Sequence, residues 1–123
     1  MKKFLLAALA LGGVLTQPVQ AAEPPAAIKL GTLYASTGRS AAISMPVHVS
    51  LKMWIDQKNE EGGVFIGAFN KKIPIQLVAY DNQSTTATAA TLYNRLITQD
   101  KVDLLVADSG SILTSVAVPI ARE

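Results

Sequence analysis

The sequence predicts an α/β fold in which helices flank a parallel sheet. Three short runs rich in β-forming residues alternate with segments whose apolar residues recur at helical spacing. This order, β-α-β-α-β-α, is typical of parallel strands that are joined by right-handed helical crossovers. The alternation starts at Ile28 and continues to Glu123.

The first strand is predicted over residues 28–35, "IKLGTLYA", which the turn-like "STGRS" follows. The first helix is predicted from Ser44, with Pro46 in its first turn and the glycine pair 62–63 at its end. Its apolar residues fall at positions i, i+4, i+7 and i+8, which are Val47, Leu51, Trp54 and Ile55. We expect the aromatic ring of Trp54 to pack in or beside the core.

The second strand is predicted over residues 72–80, and Pro74 within it favours an edge position because proline cannot donate to a ladder. Ser84 is the expected cap of the second helix. The helical spacing continues through Ala89, Leu92, Tyr93, Leu96 and Ile97.

The third strand is predicted over residues 102–107, whose uninterrupted apolar character is typical of a strand covered on both faces. A third helix is predicted from Ser111. With the proline-bearing strand at an edge, the expected strand order is two, one, three. Ligands of such sheets bind beyond the carboxyl ends of the strands where the order reverses. The loops "ASTGRSA" and "ADSGSIL" should therefore face one crevice.

The turn at Ser109, Gly110 and Ser111 is the strongest candidate binding element in this crevice. A helix beginning there would direct unpaired backbone N–H groups and the positive end of its dipole towards a small polar ligand. The alternative is that Ser111 caps the helix, as serine often does.

The first residues predict a secretory signal peptide over residues 1–21. Lys2 and Lys3 precede an apolar stretch, which small residues at Val19 and Ala21 follow in a cleavage-site pattern. The apolar stretch is shorter than the roughly 20 residues that a spanning helix needs. We therefore expect cleavage after Ala21, a flexible mature N-terminus over residues 22–27 with no membrane insertion, and export to the periplasm.

Charge and cysteine content exclude several classes of partner and site. The signal peptide holds two of the 11 basic residues and none of the nine acidic ones, so residues 22–123 carry balanced charge. A basic surface for nucleic acid is therefore not expected. The sequence has no cysteine, which excludes disulfides, cysteine metal sites and a lipidated cysteine.

Motifs for catalysis, nucleotides and metals are weak. The glycine patterns of phosphate and dinucleotide loops and the G-x-S-x-G elbow are absent, so no cofactor is expected. Ser109 lies beside Asp108, but the single histidine, His48, belongs to the first helix and is poorly placed as a base. Asp81, Asp103 and Asp108 lack calcium-loop spacing, so no metal site is expected.

Four stretches resemble the type I periplasmic binding proteins of branched-chain amino acid ABC transporters. They are "IKLGTLYASTG", "WIDQKNEEGGV", "VAYDNQSTTATAATLYNRLITQDKVDLLVAD" and "SGSILTSVAVPIARE". The resemblance implies a two-lobed protein that closes around a small solute and delivers it to a membrane permease. It also implies that residues 28–123 are the N-terminal part of the first lobe, with the second lobe absent from this sequence.

The resemblance implies that Ser109, Gly110 and Ser111 hold a ligand carboxylate, with Thr114 one turn further along. The other wall would be the loop over residues 36–39, including Thr37 and Gly38. Two departures affect the ligand: Ile43 replaces an aromatic residue, and "AD" at 107–108 replaces a glycine and a neutral residue. Asp108 would either repel an anion or point away and cap the loop.

These patterns together predict a periplasmic solute-binding protein of an ABC importer, and not an enzyme. The expected solute is a branched-chain amino acid or a related small polar or carboxylate compound. Two alternatives stay open: an exported hydrolase with an α/β fold, which a later histidine and acid would favour, and a ligand-sensing ectodomain, which a later membrane span would favour.

The predicted signal peptide fixes the start of the mature chain. Mass spectrometry of the protein from a periplasmic fraction should give an N-terminus at Ala22, because cleavage follows the small residues at 19 and 21. Intact protein beginning at Met1 in the cytosolic fraction would contradict this expectation.

Overall fold

The computed structural model describes residues 23–122. The predicted signal peptide, 1–21, and the expected mature N-terminus at Ala22 lie outside the described residues. The strands are β1 (Ile28–Tyr34), β2 (Val64–Ile66), β3 (Lys71–Ile73), β4 (Ile75–Asp81) and β5 (Leu104–Val106). The helices are α1 (Ala41–Glu60), α2 (Thr86–Thr98) and α3 (Ser111–Ile120), with a 3-10 turn at Gly67–Phe69.

The main sheet has the order β4-β1-β5, and both pairings are parallel. Ile28 lies opposite Ile75, and Leu30 lies opposite Leu104. The predicted fold class and the predicted order, with the first strand in the centre, are confirmed. β1 is central because both neighbours return to it through helical crossovers.

The second predicted strand is two strands, β3 and β4, which Pro74 separates. β3 pairs with β2 in an antiparallel hairpin that the sequence patterns did not predict. Pro74 has no N–H for a ladder, but its carbonyl accepts a hydrogen bond from the N–H of Ile28 at 2.9 Å. Among the described strands β4 pairs with β1 alone, so the predicted edge position is confirmed.

α1 begins at Ala41, before the predicted start at Ser44. The N–H of Ser44 donates to the carbonyl of Ser40, which places Pro46 beyond the first turn. The side chains that face the sheet also differ from the prediction. Ile55 is buried against Leu30 and Ile75, whereas Val47 and Trp54 are 50% and 43% exposed.

The opposite face of the sheet holds the larger core, in which α2 and α3 pack on β1. Its buried residues are Leu33, Ala89, Tyr93, Leu96, Leu113 and Ala117. α2 starts one residue later than predicted, because Thr85 is the N-cap and its hydroxyl accepts from the N–H of Thr88. This core fixes the position at which α3 begins.

β5 is shorter than predicted and is covered on one face only within the described residues. Leu105 packs against the core formed by α2 and α3, but Leu104 and Val106 are 57% and 37% exposed. The expectation of a strand covered on both faces is therefore wrong for this part of the chain. The reason is that α1 lies over β1 and β4 and leaves β5 open.

A buried carboxylate joins the loops at the carboxyl end of the sheet. Asp108 is 5% exposed, and its Oδ1 accepts from the Ser44 hydroxyl at 2.5 Å and from the N–H of Ser109 at 2.6 Å. Its Oδ2 accepts from the side-chain amide of Asn82 at 2.5 Å. The Ser44 hydroxyl in turn accepts from the N–H of Ala35 at 2.8 Å. One side chain therefore connects the ends of all three parallel strands.

The backbone of Asp108 is held as firmly as its side chain. The N–H donates to the hydroxyl of Tyr93 at 2.9 Å, and the carbonyl accepts from the hydroxyl of Thr114 at 2.9 Å. These bonds attach the turn before α3 to α2 and to α3 itself. We call the side-chain and backbone bonds of Asp108 the Asp108 network.

Asp108→Asn should destabilise the protein by about 2 kcal/mol. Both oxygens of the Asp108 carboxylate accept hydrogen bonds, which suits a group that has acceptors only. In asparagine, an NH₂ group replaces one of these oxygens and would face a donor. Rotation of Asn82 cannot compensate without loss, because its Oδ1 already accepts from the N–H of Ser84 at 2.8 Å. Urea unfolding would measure the change.

Asp56→Asn is the matched control, because Asp56 pairs with Lys52 on the exposed surface of α1 at 2.8 Å. Its loss should cost less than about 0.5 kcal/mol. Equal unfolding free energies for the two variants would show that the Asp108 network contributes no more than a surface ion pair.

Candidate functional site

A cavity of about 110 Å³ opens at the carboxyl end of the sheet, where the strand order reverses. Its wall combines two residues of the β1–α1 loop, one of the β4–α2 loop, two of the turn before α3 and the first turn of α3. These residues are Arg39, Ser40, Ser84, Ser109, Gly110, Ser111, Ile112 and Leu113. The structure therefore brings the two predicted loops together at one crevice, as the topology of the sheet predicts.

The first turn of α3 supplies backbone donors to this cavity. The first helical hydrogen bond runs from the N–H of Thr114 to the carbonyl of Gly110. The N–H groups of Ser111, Ile112 and Leu113 therefore have no acceptor within the helix. Gly110 has a φ of 103°, which glycine adopts without strain.

The alternative that Ser111 caps α3 is wrong. Gly110 is the N-cap residue, and no side chain makes a cap hydrogen bond at this end of the helix. Ser111 is the first helical residue and is exposed. Neither its hydroxyl nor that of Ser109 hydrogen-bonds with another residue in the described part of the chain. Both hydroxyls are therefore available to a ligand.

Three of the predicted site residues do not line the cavity. Thr114 directs its hydroxyl to the carbonyl of Asp108, within the Asp108 network. The carbonyl of Thr37 accepts from the hydroxyl of Ser84 at 2.6 Å. Gly38, with a φ of 80°, lies so close to Ser84 that an added Cβ would be 2.8 Å from its side chain. These residues support the wall of the cavity.

Ser84 is a cavity residue that the sequence patterns did not indicate, whereas Ser40 lies in the predicted loop at 35–41. The Ser84 hydroxyl accepts from the N–H of Ser40 at 3.1 Å and so joins the β4–α2 loop to the β1–α1 loop. Ser84 was predicted as a helix cap. The rule that ligands bind beyond the carboxyl ends of strands applies equally to the loop after β4, and would have indicated it.

The two aspartates at the strand ends serve the loops. Asp108 does not line the cavity, and its oxygens accept protein hydrogen bonds, so the alternative in which it points away and holds the loop is the one observed. Burial raises the pKa of Asp81, but hydrogen bonds from Ser36 and Gln83 outweigh it and lower that pKa overall. Among residues 23–122, no cluster of three or more acidic or histidine side chains could hold a metal ion.

His48 faces the sheet from α1, and its ring stacks on Tyr34 with 4.2 Å between ring centroids. Its Nδ1 is buried and has no hydrogen-bond partner in the described part of the protein. Burial lowers the pKa of His48, Asp108 raises it and Lys52 lowers it, with a net decrease. His48 makes no hydrogen bond to Ser109 within the described residues.

None of the helices between residues 23 and 122 combines the length and the apolar character needed to cross a membrane.

Comparison with solved structures gives several similar proteins. The branched-chain amino acid transporter substrate-binding protein LivJ from Streptococcus pneumoniae, in complex with isoleucine, is 31% identical with a TM-score of 0.70 over 78% of this chain. A solute-binding protein of an ABC transporter from R. palustris, in complex with benzoate, is 27% identical with a TM-score of 0.62 over 78% of this chain. A search among curated proteins gives no match.

The matched region spans 26% of the length of LivJ and 24% of the length of the benzoate-bound protein. The model of one family, described as periplasmic binding protein, matches residues 27–123, which is nearly all of the chain after the predicted signal peptide. The cavity at the switch point of the sheet lies within this matched region. The chain therefore belongs to the periplasmic binding protein family.

Proposed function

We propose that residues 28–123 form part of the first lobe of a solute-binding protein of an ABC importer. The protein would capture a branched-chain amino acid or a related small polar or carboxylate solute and deliver it to a membrane permease. The observation that carries this proposal is the cavity at the switch point, with the first turn of α3 and two uncommitted serine hydroxyls in its wall.

The physical basis for binding is a set of hydrogen-bond donors that are already in position. The N–H groups of Ser111, Ile112 and Leu113 point out of the helix end, where the helix dipole favours negative charge. The Asp108 network holds this turn before any ligand arrives. Preorganised donors lose little entropy on binding, which increases the affinity that each bond provides.

The second wall of the cleft would come from another lobe, as it does in two-lobed binding proteins that close on their ligand. Closure would exclude water from the cavity and so strengthen the bonds to the ligand. Family membership and the predicted signal peptide support a periplasmic location. The solute and the permease are the proposed partners, and binding without chemical change is the proposed activity.

Replacing both serines, Ser109→Ala and Ser111→Ala, should weaken ligand binding about tenfold or more. A hydrogen bond to a charged group contributes roughly 1.5–3 kcal/mol, and about 1.4 kcal/mol corresponds to a tenfold change. Isothermal titration of the full-length protein with isoleucine and with benzoate would measure the change. The melting temperature should stay nearly constant, since neither hydroxyl has a protein partner in the described residues.

Ser115→Ala is the matched control, because Ser115 lies on the same helix but does not line the cavity, and its hydroxyl donates to a backbone carbonyl of that helix, at Ile112. This variant should keep the affinity of the unmodified protein. An affinity of the double variant equal to that of the control would contradict a role of the two serine hydroxyls in binding.

A further inference from the structure

Ser84 lines the cavity from the β4–α2 loop, and its side chain is bonded to the β1–α1 loop. The Ser84 hydroxyl donates to the carbonyl of Thr37 at 2.6 Å and accepts from the N–H of Ser40 at 3.1 Å. These partners lie on both sides of Arg39, which also lines the cavity. One hydroxyl therefore holds the β1–α1 wall at two points of its backbone.

The backbone of Ser84 is connected to the opposite wall through the side chain of Asn82, which is fully buried. The N–H of Ser84 donates to Oδ1 of Asn82 at 2.8 Å, and the amide of Asn82 donates to Oδ2 of Asp108 at 2.5 Å. Asp108 accepts in turn from the N–H of Ser109, in the turn before α3. A continuous series of hydrogen bonds thus joins the β1–α1 loop to the turn before α3, and Ser84 is the member of this series that lines the cavity.

The backbone at Ser84 has a conformation that its residue type disfavours. Gln83 has a φ of 53° and Ser84 has a φ of 60°, so two successive residues other than glycine lie in the left-handed region. The N–H of Gln83 donates to Asp81 at 2.8 Å, which helps to hold this turn. Such positions persist where the surrounding structure fixes them, and they are concentrated at ligand-binding sites.

The β1–α1 loop approaches Ser84 closely because residue 38 is glycine. A Cβ added at Gly38 would lie 2.8 Å from both Cβ and Oγ of Ser84, which is closer than such atoms pack. A larger residue at this position would therefore push the two loops apart and break the hydrogen bonds of the Ser84 hydroxyl.

Building on the proposed function, we infer that the Ser84 hydroxyl is a positioning group for solute binding, which sets the separation of the two described walls of the cavity. We call its bonds to Thr37 and Ser40 the Ser84 bridge. A solute that contacts both walls binds best to the arrangement in which the Ser84 bridge is formed. By linkage, the bound solute should stabilise the Ser84 bridge in return.

Ser84→Ala should weaken the binding of isoleucine and of benzoate to the full-length protein roughly fivefold or more, since loss of the Ser84 bridge lowers the fraction of competent protein. Isothermal titration at a temperature at which every variant is folded would measure the change. Gln83→Ala is the matched control, because Gln83 shares the left-handed conformation, is exposed and does not line the cavity. This control should keep the affinity of the unmodified protein.

Ser84→Gly separates positioning from stability. Glycine adopts a positive φ without strain, so this variant should melt at a higher temperature than Ser84→Ala. It also lacks the hydroxyl, so it should bind the two solutes no more tightly than Ser84→Ala.

Amide hydrogen exchange gives a local measure of the Ser84 bridge, because the N–H of Ser40 is one of its donors. In Ser84→Ala this N–H should exchange faster, while the amides of the core residues Tyr93 and Leu96 keep their protection. In the unmodified protein, saturating solute should slow the exchange of the Ser40 N–H.

Equal affinities of Ser84→Ala and Gln83→Ala would overturn this inference. Tighter binding by Ser84→Gly than by Ser84→Ala would also overturn it, and so would unchanged exchange of the Ser40 N–H in Ser84→Ala. In each case, weaker binding by the variant that lacks the hydroxyls of Ser109 and Ser111 would leave the proposed function intact. If neither solute binds to the unmodified protein, the proposed function fails and the inference fails with it.

Discussion

The buried carboxylate of Asp108 is the interaction on which the carboxyl end of the sheet depends. It accepts from a serine of α1, from the amide that follows β4 and from the backbone that leads into α3. A buried charge is tolerated when donors surround it, but it becomes costly when one of them is lost. The hydrogen bonds to Asp108 therefore hold the loops after β1, β4 and β5 together.

The same network determines which polar groups of the turn before α3 are free to face the cavity. In this network, the N–H of Ser109 and both oxygens of Asp108 are hydrogen-bonded within the protein. The first N–H groups of α3 remain without a helical acceptor. Asp108, which lies beside the proposed anion site in the sequence, therefore holds the turn that forms this site. The cavity itself presents donors and one positive side chain, Arg39.

The two faces of the sheet contribute differently to the site. On one face, α2 and α3 enclose a tight core in which Tyr93 is fully buried, and the hydroxyl of this tyrosine holds the backbone of Asp108. On the other face, α1 contributes Ser44 to the network and packs through Ile55 near the opposite end of the sheet. Packing on both faces thus converges on the turn before α3.

The sequence by itself determined the fold class, the strand order and the place of the crevice. Apolar periodicity and Pro74 sufficed for these, because they reflect local geometry and the missing donor of proline. The sequence also indicated the turn at residues 109–111, since small hydroxyl residues follow an apolar strand there. Family resemblance added an expected class of ligand.

Only the tertiary structure decided the roles of Asp108 and Ser84. Their partners lie far away in sequence: Asp108 bonds to Ser44 across 64 positions, and Ser84 bonds to Thr37 across 47. No local pattern encodes such contacts, because they arise when parallel strands bring distant loops to one edge. Periodicity could not predict the short hairpin of β2 and β3 or the uncovered face of β5. Both depend on which neighbouring elements the folded chain places beside them.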